Sequence, residues 1–315
     1  MTSIRAFRLA GPAELRPAYT PPVDPKPGQV EVRLELAGLC GSDRPGFVQG
    51  LDKHGERPAG FPTHECLGTI LRAPDEPRLV GKRAIAIPVH DAGLLERFVA
   101  PVTSAYVVSG SLPDEIAILA QPLATVLAAV DRLPDPRGAR GAVVGLGPIG
   151  LMFGYVLRQL GVASIDGFDR RDRTGAPLVE AFDQIGVWAA ESGGYDLVVD
   201  AVGHNPAIVN ECIEMSGQRG VLLAFGVPDD DVYPLRYQTF FRKNMTIVAN
   251  VQPRWTTYLP AGENYLVRHR ALGDLVTDVF DVADAQQAFT AAFLEDAATR
   301  GKVLLRADSW QSESI

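Results

Sequence analysis

Cysteine is scarce in this chain. Only Cys40, Cys66 and Cys212 occur among 315 residues. An odd, sparse set cannot build a disulfide framework and suits a reducing compartment. Cationic excess is missing as well: Asp and Glu number 38 against 30 Lys and Arg, a net charge of −8. Such a surface repels phosphate backbones, which excludes non-specific nucleic-acid binding. No apolar run approaches the roughly 20 residues of a membrane span. The first seven residues carry no apolar stretch of a signal-peptide kind. There is no internal repeat and no low-complexity segment. The expectation is a soluble, cytoplasmic chain, away from membranes and nucleic acid.

What is present supports two domains. The length suits two better than one, and 46% hydrophobic residues can bury ordinary cores. Residues 29–36 (Gln-Val-Glu-Val-Arg-Leu-Glu-Leu) alternate as a half-buried strand does. Residues 69–71 and 83–87 read as further short strands, punctuated by Pro and Gly. Residues 113–132 predict one buried helix, closed by Pro134 and Pro136. Beyond it the texture changes to apolar strands at 141–144, 163–168, 197–200, 221–224 and 246–249, with a helix over 151–160. That pattern predicts an α/β fold with a doubly wound parallel sheet covered on both faces. After residue 252 a helix is expected over 283–294 and a strand over 303–305. The polar tail after Asp308 is expected to fray.

One turn carries chemistry. Gly145-Leu146-Gly147-Pro148-Ile149-Gly150 follows a strand and opens a helix. Gly145 permits the tight turn, Gly147 lets a pyrophosphate approach the backbone, and Gly150 lets helix and strand pack closely. The helix start offers unpaired N–H groups and partial positive charge to phosphate. Asp169 lies 24 residues after Gly145, at the end of the next strand. There a carboxylate can accept hydrogen bonds from an adenine ribose. A dinucleotide cofactor is expected. Asp169 favours the free 2′-hydroxyl of NAD and repels a 2′-phosphate. Arg170 and Arg171 follow at once and keep NADP open.

A second constellation lies upstream. Gly38-Leu39-Cys40-Gly41-Ser42-Asp43 and Pro62-Thr63-His64-Glu65-Cys66-Leu67-Gly68 supply thiolate, imidazole and carboxylate, all zinc ligands. Cys40 and His64 are too far apart for a local finger, so only the fold could assemble them.

With these motifs the chain resembles the zinc-containing medium-chain dehydrogenase/reductase family of alcohol, sorbitol, threonine and glucose dehydrogenases. The resemblance spans nearly the whole chain in order. Gly-Leu-Cys-Gly-Ser-Asp and Thr-His-Glu match its zinc-ligand motifs. Gln121-Pro122-Leu123-Ala124 matches its Glu-Pro-Leu-Ala segment. Asp200-Ala201-Val202-Gly203 and Phe225-Gly226-Val227 match its later cofactor loops. The resemblance implies a GroES-like catalytic domain from residues 1–120 and 252–315, with a Rossmann domain, residues 121–251, inserted. It implies one catalytic zinc on Cys40 and His64, with Glu65 as inner or outer ligand and Gln121 at the remaining ligand position. It places Ser42 at the start of a proton relay, Thr125 against the nicotinamide and Lys302 near the pyrophosphate. Pro148 and Ile149 join the three glycines at the phosphates, and Val202, Gly203, Phe225, Gly226 and Val227 line the cofactor. It also implies a homodimer or homotetramer.

Four departures qualify that picture. The family's structural-zinc lobe is absent, because Pro88-Val89-His90-Asp91-Ala92-Gly93 runs directly into Leu94-Leu95-Glu96-Arg97-Phe98. No structural zinc is expected. Gln121 replaces Glu or Cys and is a neutral, poorer ligand. Thr63 stands where glycine is usual and is expected to crowd its turn. Pro45 occupies a position that often carries histidine, which leaves His54 as a candidate exit for the proton. His90 is expected beside the substrate.

The implied reaction is nicotinamide-dependent interconversion of a secondary alcohol and a ketone on a small molecule. A polyol, sugar or aminocyclitol is the favoured class. Two alternatives stand beside it: a zinc-free reductase of a carbonyl or activated double bond, and a non-catalytic dinucleotide-binding sensor or partner subunit.

Overall fold

The computed structural model describes residues 3–50, 57–187, 193–250, 252–296 and 298–312. The chain folds as two compact units. One comprises Met1–Gln121, Trp255–Asp296 and Lys302–Ile315; the other comprises Pro122–Arg254 and Ala297–Gly301.

The first unit is mostly antiparallel sheet. Strands β1 (Ile4–Gly11) and β2 (Glu14–Thr20) form a hairpin of their own. The larger sheet contains β3 (Gln29–Gly38), β4 (Glu65–Arg72), β5 (Arg83–Ala86), β6 (Arg97–Pro101) and β7 (Ala105–Val107). The second unit contributes β8 to β13, described below. The chain then returns with β14 (Val276–Asp281) and β15 (Lys302–Arg306), which complete the first unit's seven-stranded sheet. Its order is β14-β15-β3-β4-β5-β7, with β6 also paired to β3. Strand β3 is therefore central, and its apolar face is buried throughout. Over 29–36 the expected alternation holds, with Val30, Val32, Leu34 and Leu36 buried and Gln29, Arg33 and Glu35 partly exposed; Glu31 is the exception. Glu31, in an alternating polar position, is only 2% exposed and is neutralised by Arg72 and Arg97. Helix α1 (Asp43–Gln49) is pinned by Phe47, whose buried ring lies 5.1 Å from that of Phe289.

The second unit is a six-stranded parallel sheet of β8 (Arg140–Val144), β9 (Ser164–Asp169), β10 (Gln184–Val187), β11 (Tyr195–Asp200), β12 (Ser216–Ala224) and β13 (Thr246–Ala249). Its order, β10-β9-β8-β11-β12-β13, reverses direction at β8, as in dinucleotide-binding sheets. Strand β10 escaped the sequence reading because it is short, carries Gly186 and is not buried. The crossover from β9 to β10 contains no α-helix, only a 3-10 turn at Val179–Ala181. Phe182 fills the space instead: a Cβ on Gly154 or Gly167 would strike its ring.

Two further expectations are corrected. Residues 113–132 form two helices, α2 (Asp114–Ala117) and α3 (Ala120–Val130), rather than one. Pro122 offers no N–H, and its ring would clash with the Ile118 carbonyl in a continuous helix. That carbonyl accepts instead from Gln121 N–H, at 3.1 Å. The remaining helices are α4 (Pro148–Gln159), α5 (Pro206–Met215), α6 (Tyr237–Arg242), α7 (Trp255–Arg268), α8 (Ala285–Phe293) and α9 (Asp308–Ser312). Helix α9 replaces the expected fraying, because Trp310 is buried and stacks on Phe7. No helix among the described residues is long and apolar enough to cross a membrane.

Candidate active site

Three antiparallel neighbours assemble a donor cluster in the first unit. Register pairs Gly38 at the end of β3 with Glu65 at the start of β4, and Leu304 of β15 with Gly38. Cys40, His64, Glu65 and Lys302 therefore meet at one end of the sheet, although they lie far apart in sequence. One donor atom from each of Cys40, His64 and Glu65 lies within 4.8 Å of the others.

The surroundings order these donors. Asp43 Oδ1 lies 2.9 Å from His64 Nδ1, and its Oδ2 accepts from Cys40 N–H at 2.9 Å. Asp43 is 2% exposed. One carboxylate thus fixes both the cysteine loop and the imidazole, leaving Nε2 facing the donor cluster. Burial alone would depress the imidazole's pKa, but the Asp43 charge and hydrogen bond raise it well above the usual histidine range. Ser42 is exposed, with Oγ 3.5 Å from His64 Nε2. Sequence reasoning passed over Asp43, although an acid three residues after the first cysteine was visible.

Glu65 is fully buried. Its Oε1 accepts from Lys302 Nζ at 2.6 Å. Its Oε2 lies 2.5 Å from the same ammonium but lacks hydrogen-bond geometry, so it is a buried oxygen with an open lone pair. Burial works against the lysine's charge, yet Glu65 raises its pKa. Lys302 was expected at a pyrophosphate. The structure instead buries it to 2% exposure on Glu65, because Lys302 begins the strand whose Leu304 pairs with Gly38. A thiolate, an imidazole with its other nitrogen secured and a carboxylate with a spare oxygen form a donor set that fits one zinc ion.

Thr63 is accommodated without displacement of the turn. It is fully buried, donates its N–H to Asp91 O at 2.7 Å and accepts from Gly93 N–H at 2.9 Å. Gly93 makes the room, since a Cβ there would hit Thr63 O and Cys66 Sγ. The Thr63 hydroxyl has no hydrogen-bond partner among the described residues. His90 and Asp91 form the exposed turn opposite, both in the left-handed region at φ 60° and 52°. Two consecutive non-glycine residues in that region are costly and mark a constrained turn. His54 lies outside the described residues. Gln121 is buried at the second position of α3.

The second unit holds the glycine turn. Gly145 has φ 90°. A Cβ on Gly150 would run into the Gly145 carbonyl, whereas one on Gly147 would meet nothing within 4 Å. Gly147 caps α4 without a side-chain hydrogen bond, and Pro148 occupies the first turn. Open space over Gly147 and uncapped amides near Ile149 suit an anion. Asp169 Oδ2 accepts from Leu146 N–H at 2.7 Å, and Oδ1 from Arg171 N–H at 3.1 Å. The carboxylate is fixed at the turn while Arg170 is exposed. Arg173, the last residue of the Asp-Arg-Arg-Asp-Arg run at 169–173, is buried and donates to Arg300 O at 2.7 Å.

Asp200 organises the next loops. Its Oδ1 accepts from Val202 and Gly203 N–H, and its carbonyl from Phe225 and Gly226 N–H. Gly203 and Gly226 are so close that a Cβ on either would enter the other's backbone. Val227 is partly exposed beyond them. Thr125 Oγ1 donates to Pro122 O at 2.6 Å.

No family model matches the chain. The chain is 27% identical over 240 residues to L-idonate 5-dehydrogenase (NAD(P)(+)) of Escherichia coli, covering 62% of this chain and 69% of that one. It is 28% identical over 308 residues to a probable zinc-binding alcohol dehydrogenase of Mycobacterium tuberculosis, covering 82% and 78%. Among solved structures, an alcohol dehydrogenase of Escherichia coli complexed with NADH matches with TM-score 0.83 at 20% identity, covering 97% of this chain and 100% of that one. The chain is therefore a homologue of the zinc-binding alcohol and polyol dehydrogenases and has the medium-chain dehydrogenase fold.

Proposed function

We propose that the protein is a zinc-dependent, NAD(P)-dependent dehydrogenase that interconverts a secondary alcohol and a ketone. The observation that carries this reading is the convergence of Cys40, His64 and Glu65, with His64 oriented by Asp43. When bound, the zinc supplies a Lewis acid that acidifies a hydroxyl, and the nicotinamide accepts the hydride. The chain's own groups do the rest. Ser42 takes the substrate's hydroxyl proton toward solvent. Gln121 is the neutral donor completing the metal's surroundings. Thr125 orients the nicotinamide. Gly145, Gly147, Pro148, Ile149 and Gly150 hold the pyrophosphate, and Val202, Gly203, Phe225, Gly226 and Val227 line the cofactor. Asp169, presented by two backbone amides, favours NAD, while the exposed Arg170 and the neighbouring Arg171 leave NADP accessible.

The substrate is a polyol, sugar or aminocyclitol. His90 hydrogen-bonds it from the constrained turn. An unchanged Michaelis constant and turnover in His90→Ala would refute that role. Three unpaired thiols suit the cytoplasm.

The test is a screen of sugars, polyols and aminocyclitols with NAD and NADP, each with and without chelator, read by near-ultraviolet absorbance of the reduced cofactor. Metal analysis accompanies it. About one zinc per chain with chelator-sensitive turnover supports the reading. Turnover without zinc would establish the zinc-free reductase instead.

We propose further that two copies associate through the second unit. Among the described residues, strand β13 is the sheet's outer strand and pairs only with β12. On α6, which precedes it in the chain, Tyr237 and Phe241 are 66% and 67% exposed and stack with ring centres 6.3 Å apart. Val232 and Leu235 extend this apolar patch. An outer strand and an exposed aromatic patch in the same unit favour a second copy of the same chain.

A further inference from the structure

The buried Lys302–Glu65 pair lies against the candidate metal ligands, and its cost asks for a reason. A pair this deep pays a desolvation penalty that its mutual attraction barely repays. The charges of the cluster supply the reason. Glu65, Asp43 and a metal-binding Cys40 thiolate bring three negative charges to one end of the sheet, and Lys302 is the buried cation that touches the ligand carboxylate. Its ammonium spans both Glu65 oxygens, hydrogen-bonding Oε1 and leaving Oε2 with an open lone pair. Gly38 keeps the pair in place, for a Cβ there would press on Glu65 Oε2, 2.5 Å away, and on Lys302 Cε, 3.1 Å away.

We propose that Lys302 is a built-in competitor of the metal for Glu65, a positioning residue that holds the carboxylate when metal is absent and weakens its grip when metal is present. This inference rests on the zinc reading above. It has two physical parts. Without metal, Lys302 supplies the countercharge that keeps a buried carboxylate from destabilising the β3–β4–β15 junction. With metal bound, Lys302 would keep a fixed positive charge on the shared ligand. It opposes the dication and withdraws negative charge from Glu65, so the site stays electrophilic toward a substrate oxygen. Two carboxylates and a thiolate alone would more than cancel the metal's charge. Lys302 leaves the ensemble neutral.

The experiment measures zinc affinity, not turnover. Wild type, Lys302→Met and Lys302→Arg are compared by competition with a chromophoric chelator at mildly alkaline pH. Thermal unfolding is followed with and without added zinc. Loss of a like charge held on the same carboxylate as the dication would be worth roughly tenfold or more in affinity. The methionine variant is expected to bind zinc at least that much more tightly. Its metal-free form should unfold at lower temperature, so zinc raises its unfolding temperature more than the wild type's. The arginine variant should restore wild-type affinity. If the methionine variant holds together only with zinc, its release of zinc to chelator should be slower than that of the wild type. Equal or weaker zinc affinity in the methionine variant, or equal or faster release, overturns the proposal while leaving the zinc reading intact. A wild-type protein that binds no zinc overturns both.

Discussion

Asp43 and His64 are joined through Oδ1 and Nδ1 at 2.9 Å, with the carboxylate 2% exposed. This contact sets which imidazole nitrogen faces Cys40 and Glu65. A neutral amide accepts a weaker hydrogen bond and cannot stabilise a polarised ring. Asp43→Asn is therefore expected to lower zinc affinity by about 10–100-fold while the protein remains folded. Chelator competition measures it, with circular dichroism as the control. An Asn variant with wild-type zinc affinity would show that the orientation of His64 is set elsewhere.

The glycine turn yields a paired prediction. Gly147→Ala places its methyl in open space, so the unfolding temperature should hardly move. That space is where a pyrophosphate would lie, so the NADH dissociation constant should rise on the order of tenfold. Gly150→Ala drives its methyl into the Gly145 carbonyl and should cost about 1–3 kcal/mol of stability before any cofactor is added. Calorimetry and fluorescence titration separate the two. Equal effects on folding from both variants would contradict the geometry.

These residues also show how far the sequence could be read. The glycine turn was legible because each glycine answers a local backbone need. The strands around it were legible because buried parallel strands are apolar throughout. Cys40, His64 and Glu65 could be singled out by residue type, but their meeting depends on the register of β3 with β4, which no local pattern encodes. Lys302 was the hardest case. Its partner Glu65 is 237 residues away, and an isolated lysine before a strand looks like any solvated one. Strand β10 and the split between α2 and α3 were missed for local reasons. The strand is short and not buried, and Pro122 breaks a run whose apolar pattern continues through it.

Asp183 supplies a test of pH dependence away from the site. Its carboxylate accepts from Ile165 N–H at 2.6 Å and from Arg158 Nη2 at 2.6 Å. These contacts hold its carboxyl below the usual carboxylate range in the folded chain. A folded value below the unfolded one contributes stability above the unfolded pKa, and that contribution is lost as the pH falls through the folded value. The unfolding temperature should therefore drop below about pH 4. Asp183→Asn should be less stable than wild type at neutral pH and should converge with it in acid. Parallel curves for the two proteins across the acid range would rule out this contribution. The group is largely exposed, so the difference should also shrink in high salt.

Phe241 is the most direct probe of the apolar patch on α6. Its ring is 67% exposed and stacks on Tyr237 rather than on a core. Truncating or charging it should leave the monomer's stability close to wild type, because little buried contact is lost. In a two-fold association the same residue appears twice in one interface, so a single charge substitution introduces two like charges. Phe241→Asp is therefore expected to shift sedimentation from dimer to monomer at micromolar concentration, with the unfolding temperature falling as the partner is lost. Phe241→Tyr keeps the area and should keep the dimer. A wild-type protein that sediments as a monomer, or an Asp variant that stays dimeric, would show that the α6 patch does not pair with itself.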